Sequence, residues 1–135
     1  MNIEIYNTFS KNNQKFEPID EKHVRLYVCG PTVYDSIHVG NARPIIVFDV
    51  LVRFLRTIYP KVTYVRNITD VDDKIIIQAK KNKENISDLT KRTIKLFSED
   101  AKSLFAIKPD YEPRATDHIQ EMLKLIKTLV NNENA

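Results

Sequence analysis

The sequence predicts an α/β fold, a parallel sheet with helices, from three consecutive runs. A short alternating apolar run stops at a Gly-Pro turn, a long apolar run at helical spacing follows, and a second short β-branched run comes after it. The first is His23 to Cys29, where Val24, Leu26 and Val28 alternate before Gly30-Pro31, so a strand ends with Cys29 at its carboxyl end. The second is Ala42 to Ile58, apolar nearly all round at its start and striped later, which predicts a buried helix of about four to five turns. Tyr59-Pro60 closes that helix, and Val62, Tyr64 and Val65 form the next strand, ending near Asn67. Strand, helix, strand in this order is a right-handed parallel crossover unit.

Three helices follow. Asp70 is placed to cap the first, with Asp72 and Asp73 in its opening turn, where the positive end of the helix dipole favours carboxylates, and the helix ends by Asn82. Ser87 is the expected cap of the second, whose apolar face is Leu89, Thr93, Leu96, Phe97, Ala101 and Leu104. Pro109 to Pro113 interrupts the pattern, and Thr116 opens a last helix with Ile119, Met122, Leu123, Ile126, Leu129 and Val130 on one side. The Ile3 to Ile19 stretch is expected to form a short hairpin.

Composition narrows the function classes. The chain has 135 residues, 42% hydrophobic and 29% charged, without a long apolar run, which predicts a globular protein with no membrane span. Met1 to Ser10 lacks the basic start and apolar stretch of a secretory signal, so a cytoplasmic location is expected. The net charge of +3 is spread along the chain and does not by itself indicate nucleic-acid binding. Cys29 is the single cysteine, which excludes an intrachain disulfide and leaves burial, reactivity or metal ligation. Gly30 and Gly40 are the only glycines, and they bracket one short segment where the backbone has special demands.

In open α/β sheets ligands bind outside the carboxyl ends of the strands, which here means the loops after Cys29 and Asn67. The first loop reads C-G-P-T-V-Y-D-S-I-H-V-G-N-A-R and leads into the long helix. His38 and Asn41 lie at the helix entrance, Gly40 removes a side chain that would obstruct a nucleotide, and the free N–H groups of a helix start suit phosphate.

H-V-G-N resembles the H-I-G-H signature of class I aminoacyl-tRNA synthetases, and the preceding Y-V-C-G-P-T-V-Y-D is similar to their cysteine-specific members. Y-V-R-N-I-T-D-V-D-D-K in the second loop and E-P-R-A-T at Glu112 to Thr116 are similar to the same family, as is the N-terminal I-Y-N-T. The resemblance implies the N-terminal half of a Rossmann-like class I synthetase catalytic domain, with residues 1–135 as the first part of the nucleotide-binding domain. It implies activation of cysteine by ATP-Mg and its transfer to tRNA(Cys), by a protein expected to be monomeric. His38 and Asn41 would contact the ATP phosphates, with Asn41 standing in place of the second histidine of the signature and keeping an amide donor there. Cys29 would be one ligand of a zinc ion that also takes the substrate's thiolate, the other ligands lying beyond this sequence. Gly30, Thr32 and Thr69 match positions around the amino-acid substrate, although each is equally a turn or cap residue.

Other residues have plainer readings. His23 and His118 suit a solvated strand edge and a helix face. Asp70, Asp72 and Asp73 sit at a helix start and are assigned no metal. Lys74, Arg66 and Arg114 are the cations that could face tRNA or phosphate, with solvated surface charge the simpler account of Lys74. The lysine-rich K-M-S-K-S loop of class I enzymes is absent, so this chain alone is expected not to aminoacylate tRNA. Two alternatives stay open. One is the related ligase that joins cysteine to a glucosamine-inositol in mycothiol synthesis, and the other is a noncatalytic module that binds tRNA or a partner.

Overall fold

A computed structural model describes residues 3–135. The expected hairpin is present: β1 (Glu4–Asn7) pairs antiparallel with β2 (Asn12–Lys15). Its turn is closed by Lys11 N–H donating to the Asn7 carbonyl at 2.8 Å, with Lys11 in the left-handed region at φ 56°. Ile3 and Phe16 anchor it on the main core, Phe16 edge-on to Tyr59 with ring centroids 6.2 Å apart.

The crossover unit follows. Strand β3 (Val24–Val28) runs parallel to β4 (Val62–Arg66), with Val24 opposite Val62 and Val28 opposite Arg66. Helix α1 (Val39–Ile58) connects them and lays Val52 and Leu55 on Val24, Val28, Val62 and Tyr64 to form the largest core cluster. The helix begins three residues earlier than its apolar run, because His38 and Asn41 cap each other. It also contains Pro44, which has no N–H to offer the carbonyl one turn back.

Helix α2 (Asp73–Asn82) ends where expected but is capped by Asp72, whose carboxylate accepts from Lys74 N–H at 2.8 Å. Asp70 is engaged elsewhere: it accepts the Thr116 N–H at 3.0 Å and the Thr116 hydroxyl at 2.6 Å, which ties the second loop to the segment before the last helix. Helix α3 (Ile86–Ser103) starts after Asn85, so Ser87 lies inside its first turn and caps nothing. Its face is as read at Leu89, Thr93, Phe97 and Ala101, all buried, whereas Leu96 and Leu104 are exposed. Thr116 falls in a 3₁₀ turn, Ala115–His118, that precedes α4 (Ile119–Asn131). The apolar side of α4 exists, but no residue of that helix is buried.

A third parallel track, hidden by its prolines, lies outside β4. Tyr111 bridges Val65 and Arg114 bridges Ile68, while the Tyr111 and Pro113 carbonyls accept from Arg66 and Ile68 N–H at 3.1 and 2.9 Å. Pro113 leaves one donor out of the ladder on the β4 side, where the Tyr111 and Pro113 carbonyls and the Ala115 N–H carry the pairing. Two carboxylates fasten this segment. Asp110 accepts Tyr64 N–H at 2.7 Å and pairs with Arg56, and Asp49 of α1 accepts Ile107 N–H at 2.7 Å and Arg53 Nε at 2.8 Å. Burial works to raise the Asp49 carboxyl, but the hydrogen bonds from Arg53 and Ile107 outweigh it and hold the group below its ordinary value.

The α2–α3 turn is held by a forked Arg92–Glu84 pair, with Arg92 Nη2 at 2.9 Å from Glu84 Oε1. The Arg92 hydrogen bond, then that of Asn82, lowers the Glu84 carboxyl from its ordinary 4.5 to about 2. A carboxyl lowered by folding contributes stability that is present above 4.5 and is lost as pH falls through about 2. Thermal midpoints of the parent and Arg92→Met should therefore differ at neutral pH and converge as pH drops across that window. A gap that persists undiminished in acid would show that Arg92 acts through packing instead.

Candidate active site

The carboxyl ends of β3 and β4 open into two loops that are locked together. Gly30 N–H donates to Asn67 Oδ1 at 2.8 Å, and Asn67 Nδ2 donates to the Thr69 hydroxyl at 3.2 Å. Thr32 and Thr69 form a parallel bridge, with Val33 N–H on the Thr69 carbonyl and Thr69 N–H on the Pro31 carbonyl, both at 3.1 Å. Beneath them Val33, Ile68, Ile75, Ala79 and Leu89 make a second core cluster, which explains why loops of this length keep one shape. Gly30 is required by contact and not by a left-handed backbone. A Cβ there would stand 1.6 Å from the Asn67 carbonyl oxygen.

The start of α1 faces this junction. His38 Nδ1 accepts Gly40 N–H at 3.0 Å, and Asn41 Oδ1 accepts His38 N–H at 3.2 Å. These bonds fix the chemistry left over. An imidazole whose Nδ1 accepts carries its proton on Nε2, and an amide whose oxygen accepts turns its NH₂ outward. The exposed His38 ring and the Asn41 side chain thus both offer donors at a helix N-terminus, where the dipole already favours negative charge. The nearest obstacle to a side chain at Gly40 is the His38 ring itself, 2.8 Å from the position of a Cβ.

Two adjoining hollows meet at Pro31 and Asn41. One, of about 110 Å³, is lined by Cys29, Gly30, Gly40, Asn41, Tyr64 and Arg66 among others. The second, of about 260 Å³, is lined by Thr32, Tyr34, Asp35, His38, Asn41 and Lys74 among others. The structure therefore places Cys29, Gly30 and Gly40 in one hollow and Thr32 and His38 in the next, with Asn41 lining both. Thr69 lines neither hollow and serves the loop junction. Lys74 Nζ sits 5.8 Å from the centre of the Tyr34 ring and lines the same hollow as His38.

Cys29 is exposed, which removes the reading of a buried packing residue. Among the described residues no group of three or more His, Cys, Asp or Glu is placed to hold a metal ion, so this segment offers one thiolate and not a complete site. His23 Nε2 lies 2.7 Å from the Thr63 hydroxyl on the sheet, and His118 is 4.0 Å from Glu121 on the last helix, as their plainer readings required. Arg66 does not face solvent. It is buried, with Nη2 on Glu112 at 2.8 Å and its guanidinium 4.8 Å from the centre of the Phe97 ring. The Glu112 of E-P-R-A-T thereby meets the Arg66 of Y-V-R-N-I-T-D across 46 residues of sequence, a pairing that no local pattern discloses.

The sequence model of the family described as "tRNA synthetases class I (C) catalytic domain" matches residues 15–135. The chain belongs to this family. It is 55% identical over 135 residues to a protein of Rhodospirillum rubrum named "Cysteine--tRNA ligase", covering 100% of this chain and 29% of that protein. Proteins of the same name from Gluconobacter oxydans and from Wolbachia pipientis subsp. Culex pipiens are 53% and 50% identical over 133 residues, 98% of this chain and 29% of each relative. The chain thus spans 29% of the length of these relatives. Family membership accounts for the α/β architecture and the parallel strand pair, an aminoacyl-tRNA synthetase framework in which the three motifs are spatial neighbours. No helix among the described residues is long and apolar enough to cross a membrane.

Proposed function

We propose that the complete polypeptide carrying this segment is a cysteine–tRNA ligase that activates cysteine with ATP-Mg and loads it onto the 3′ end of tRNA(Cys). The observation that carries the reading is the shared opening at the strand ends, where the exposed thiol of Cys29 and the donors of His38 and Asn41 stand around one pair of hollows. In the first half-reaction the cysteine carboxylate attacks the α-phosphorus of ATP, and the bond to pyrophosphate breaks. Negative charge accumulates on phosphoryl oxygens as it does so. Fixed donors aimed there stabilise the transition state because they need no reorganisation at the moment of reaction. His38 Nε2–H and the Asn41 amide fill that role, with Gly40 leaving room for the nucleotide. In the second half-reaction a ribose hydroxyl of the tRNA attacks the acyl carbon and AMP leaves.

Gly30 and Thr32 are read as neighbours of the amino acid, with Thr69 bracing Thr32 from behind. Cys29 is read as one zinc ligand, a thiolate that suits a borderline-soft ion. When bound, that ion would favour the sulfur of cysteine over the oxygen of serine. Its other ligands come from residues outside this segment, and residues 1–135 form the first part of the nucleotide-binding domain. A ligase of this kind works where ATP and tRNA are found, so the reading places it in the cytoplasm, as a monomer.

The test is cysteine-dependent exchange of labelled pyrophosphate into ATP by the complete polypeptide, followed by acceptor choice. Exchange with cysteine, little with serine, and transfer to tRNA are expected. Residues 1–135 alone should give no exchange. Transfer to an amino sugar instead of tRNA would select the mycothiol-type ligase. Absence of exchange with intact binding of tRNA would leave a noncatalytic module.

A further inference from the structure

Helix α4 is the one α-helix among the described residues that buries nothing, whereas α1, α2 and α3 each bury two residues or more. Its 13 residues fall in the range where an isolated helix is marginal in water, and no side chain caps its N-terminus. A helix of that length is normally held by packing of an apolar face. Ile119, Met122, Leu123, Ile126, Leu129 and Val130 recur at spacings of three and four, each 37–53% exposed, while Glu121, Lys124 and Thr128 stand on the opposite side. The root of the helix is fixed. In the turn Ala115–His118 before it, Thr116 binds both carboxylate oxygens of Asp70, and Arg114 bridges Ile68. A rooted helix with an open apolar stripe requires another element to cover it.

We propose that this face of α4 is the seat of a later segment of the same polypeptide, one beyond residue 135 that brings an apolar face of its own. The inference rests on the part of the ligase reading that extends the polypeptide past residue 135, and not on its chemistry. In relatives such as that of Rhodospirillum rubrum the matching stretch is 29% of the protein, so the greater part of such a chain is tethered to α4. A tether of a few residues holds a partner at an effective concentration on the order of millimolar, which makes a small contact sufficient. A second copy of the chain has no such help. A helix face about 20 Å long and about 10 Å across offers on the order of 200–400 Å². That is well under the ~800 Å² per partner of a stable complex between separate chains. Because Thr116 and Arg114 bind the second signature loop, a segment seated on α4 is also placed relative to that loop.

The experiment is amide hydrogen exchange and photo-crosslinking on the complete polypeptide. Amides of residues 119–131 should be protected on the order of a hundredfold over a frayed helix, and dilution of the protein should not change this. A benzophenone side chain in place of Leu125, beside the apolar face, should crosslink to residues beyond 135 within one chain, at the mass of a single polypeptide. Leu123→Asp with Ile126→Asp should lower the protection of α4 on the order of tenfold or more while the amides of β3 and β4 keep theirs. The measurements on the parent decide the matter if this variant does not fold. Crosslinks between two copies or back onto residues 1–118, protection that falls on dilution, or amides that exchange as freely as a frayed helix overturn the proposal. A covered α4 in a polypeptide without pyrophosphate exchange sinks the ligase reading alone, whereas an active polypeptide with an uncovered α4 sinks this inference alone.

Discussion

Gly30→Ala is expected to unfold the junction between the two signature loops and to abolish adenylation by the complete polypeptide. The added Cβ would lie 1.6 Å from a backbone carbonyl, that of Asn67, a residue flanked by Arg66 and Ile68, which are both bonded to the third track. Neither side of this contact is the free end of a flexible side chain, so the turn must lift by more than an ångström. Lifting breaks the Gly30 N–H bond to Asn67 and the Thr32–Thr69 bridge above it. Overpacking a site that cannot relax costs about 3 kcal/mol or more, a large share of a small domain's stability. Gly40→Ala is the natural control, because the group it meets is an imidazole that can swing away. Thermal unfolding of both variants checks the pair. A Gly30→Ala variant that unfolds at the parent midpoint would mean that the two loops are not closed on each other as described.

The second large effect is at His38. Replacing it with alanine removes a helix cap and a proton donor together, two consequences of different size. Loss of a side-chain cap costs about 1 kcal/mol. Loss of one preorganised donor to a developing oxyanion lowers turnover by roughly 10²–10³-fold. His38→Asn separates them, since asparagine caps a helix well but cannot place a donor where Nε2–H stood. The asparagine variant should keep the parent midpoint and share the loss of exchange activity. If alanine lowers the midpoint while exchange continues at the parent rate, His38 is a cap and nothing more.

What the sequence discloses and what it hides separate along physical lines. The crossover unit is legible because β3, α1 and β4 bury their apolar residues with periods of two and near four, and the local pattern reports that directly. The site is legible because both loops follow strand ends and the first is bracketed by the two glycines, Gly30 and Gly40. The cap assignments at Asp70 and Ser87 fail because several neighbouring residues can each cap, and at Asp70 a long-range partner decides. Thr116 takes both oxygens of Asp70, which leaves the capping of α2 to Asp72. Arg66 is misjudged in the same way, because nothing within its own strand announces Glu112 or Phe97. The third track is missed because two prolines in five residues obscure β character, and its order comes from its own Asp110 reaching Tyr64 and from Asp49 of α1 reaching Ile107.

Pro113 also thins the ladder between the third track and β4. The Tyr111 and Pro113 carbonyls and the Ala115 N–H all turn toward β4, so the N–H that Pro113 lacks is missing from the β4 side of the track and not from its outer edge. The third track is therefore held to β4 by few backbone bonds, and the side chains of Asp49 and Asp110 supply the rest of its attachment.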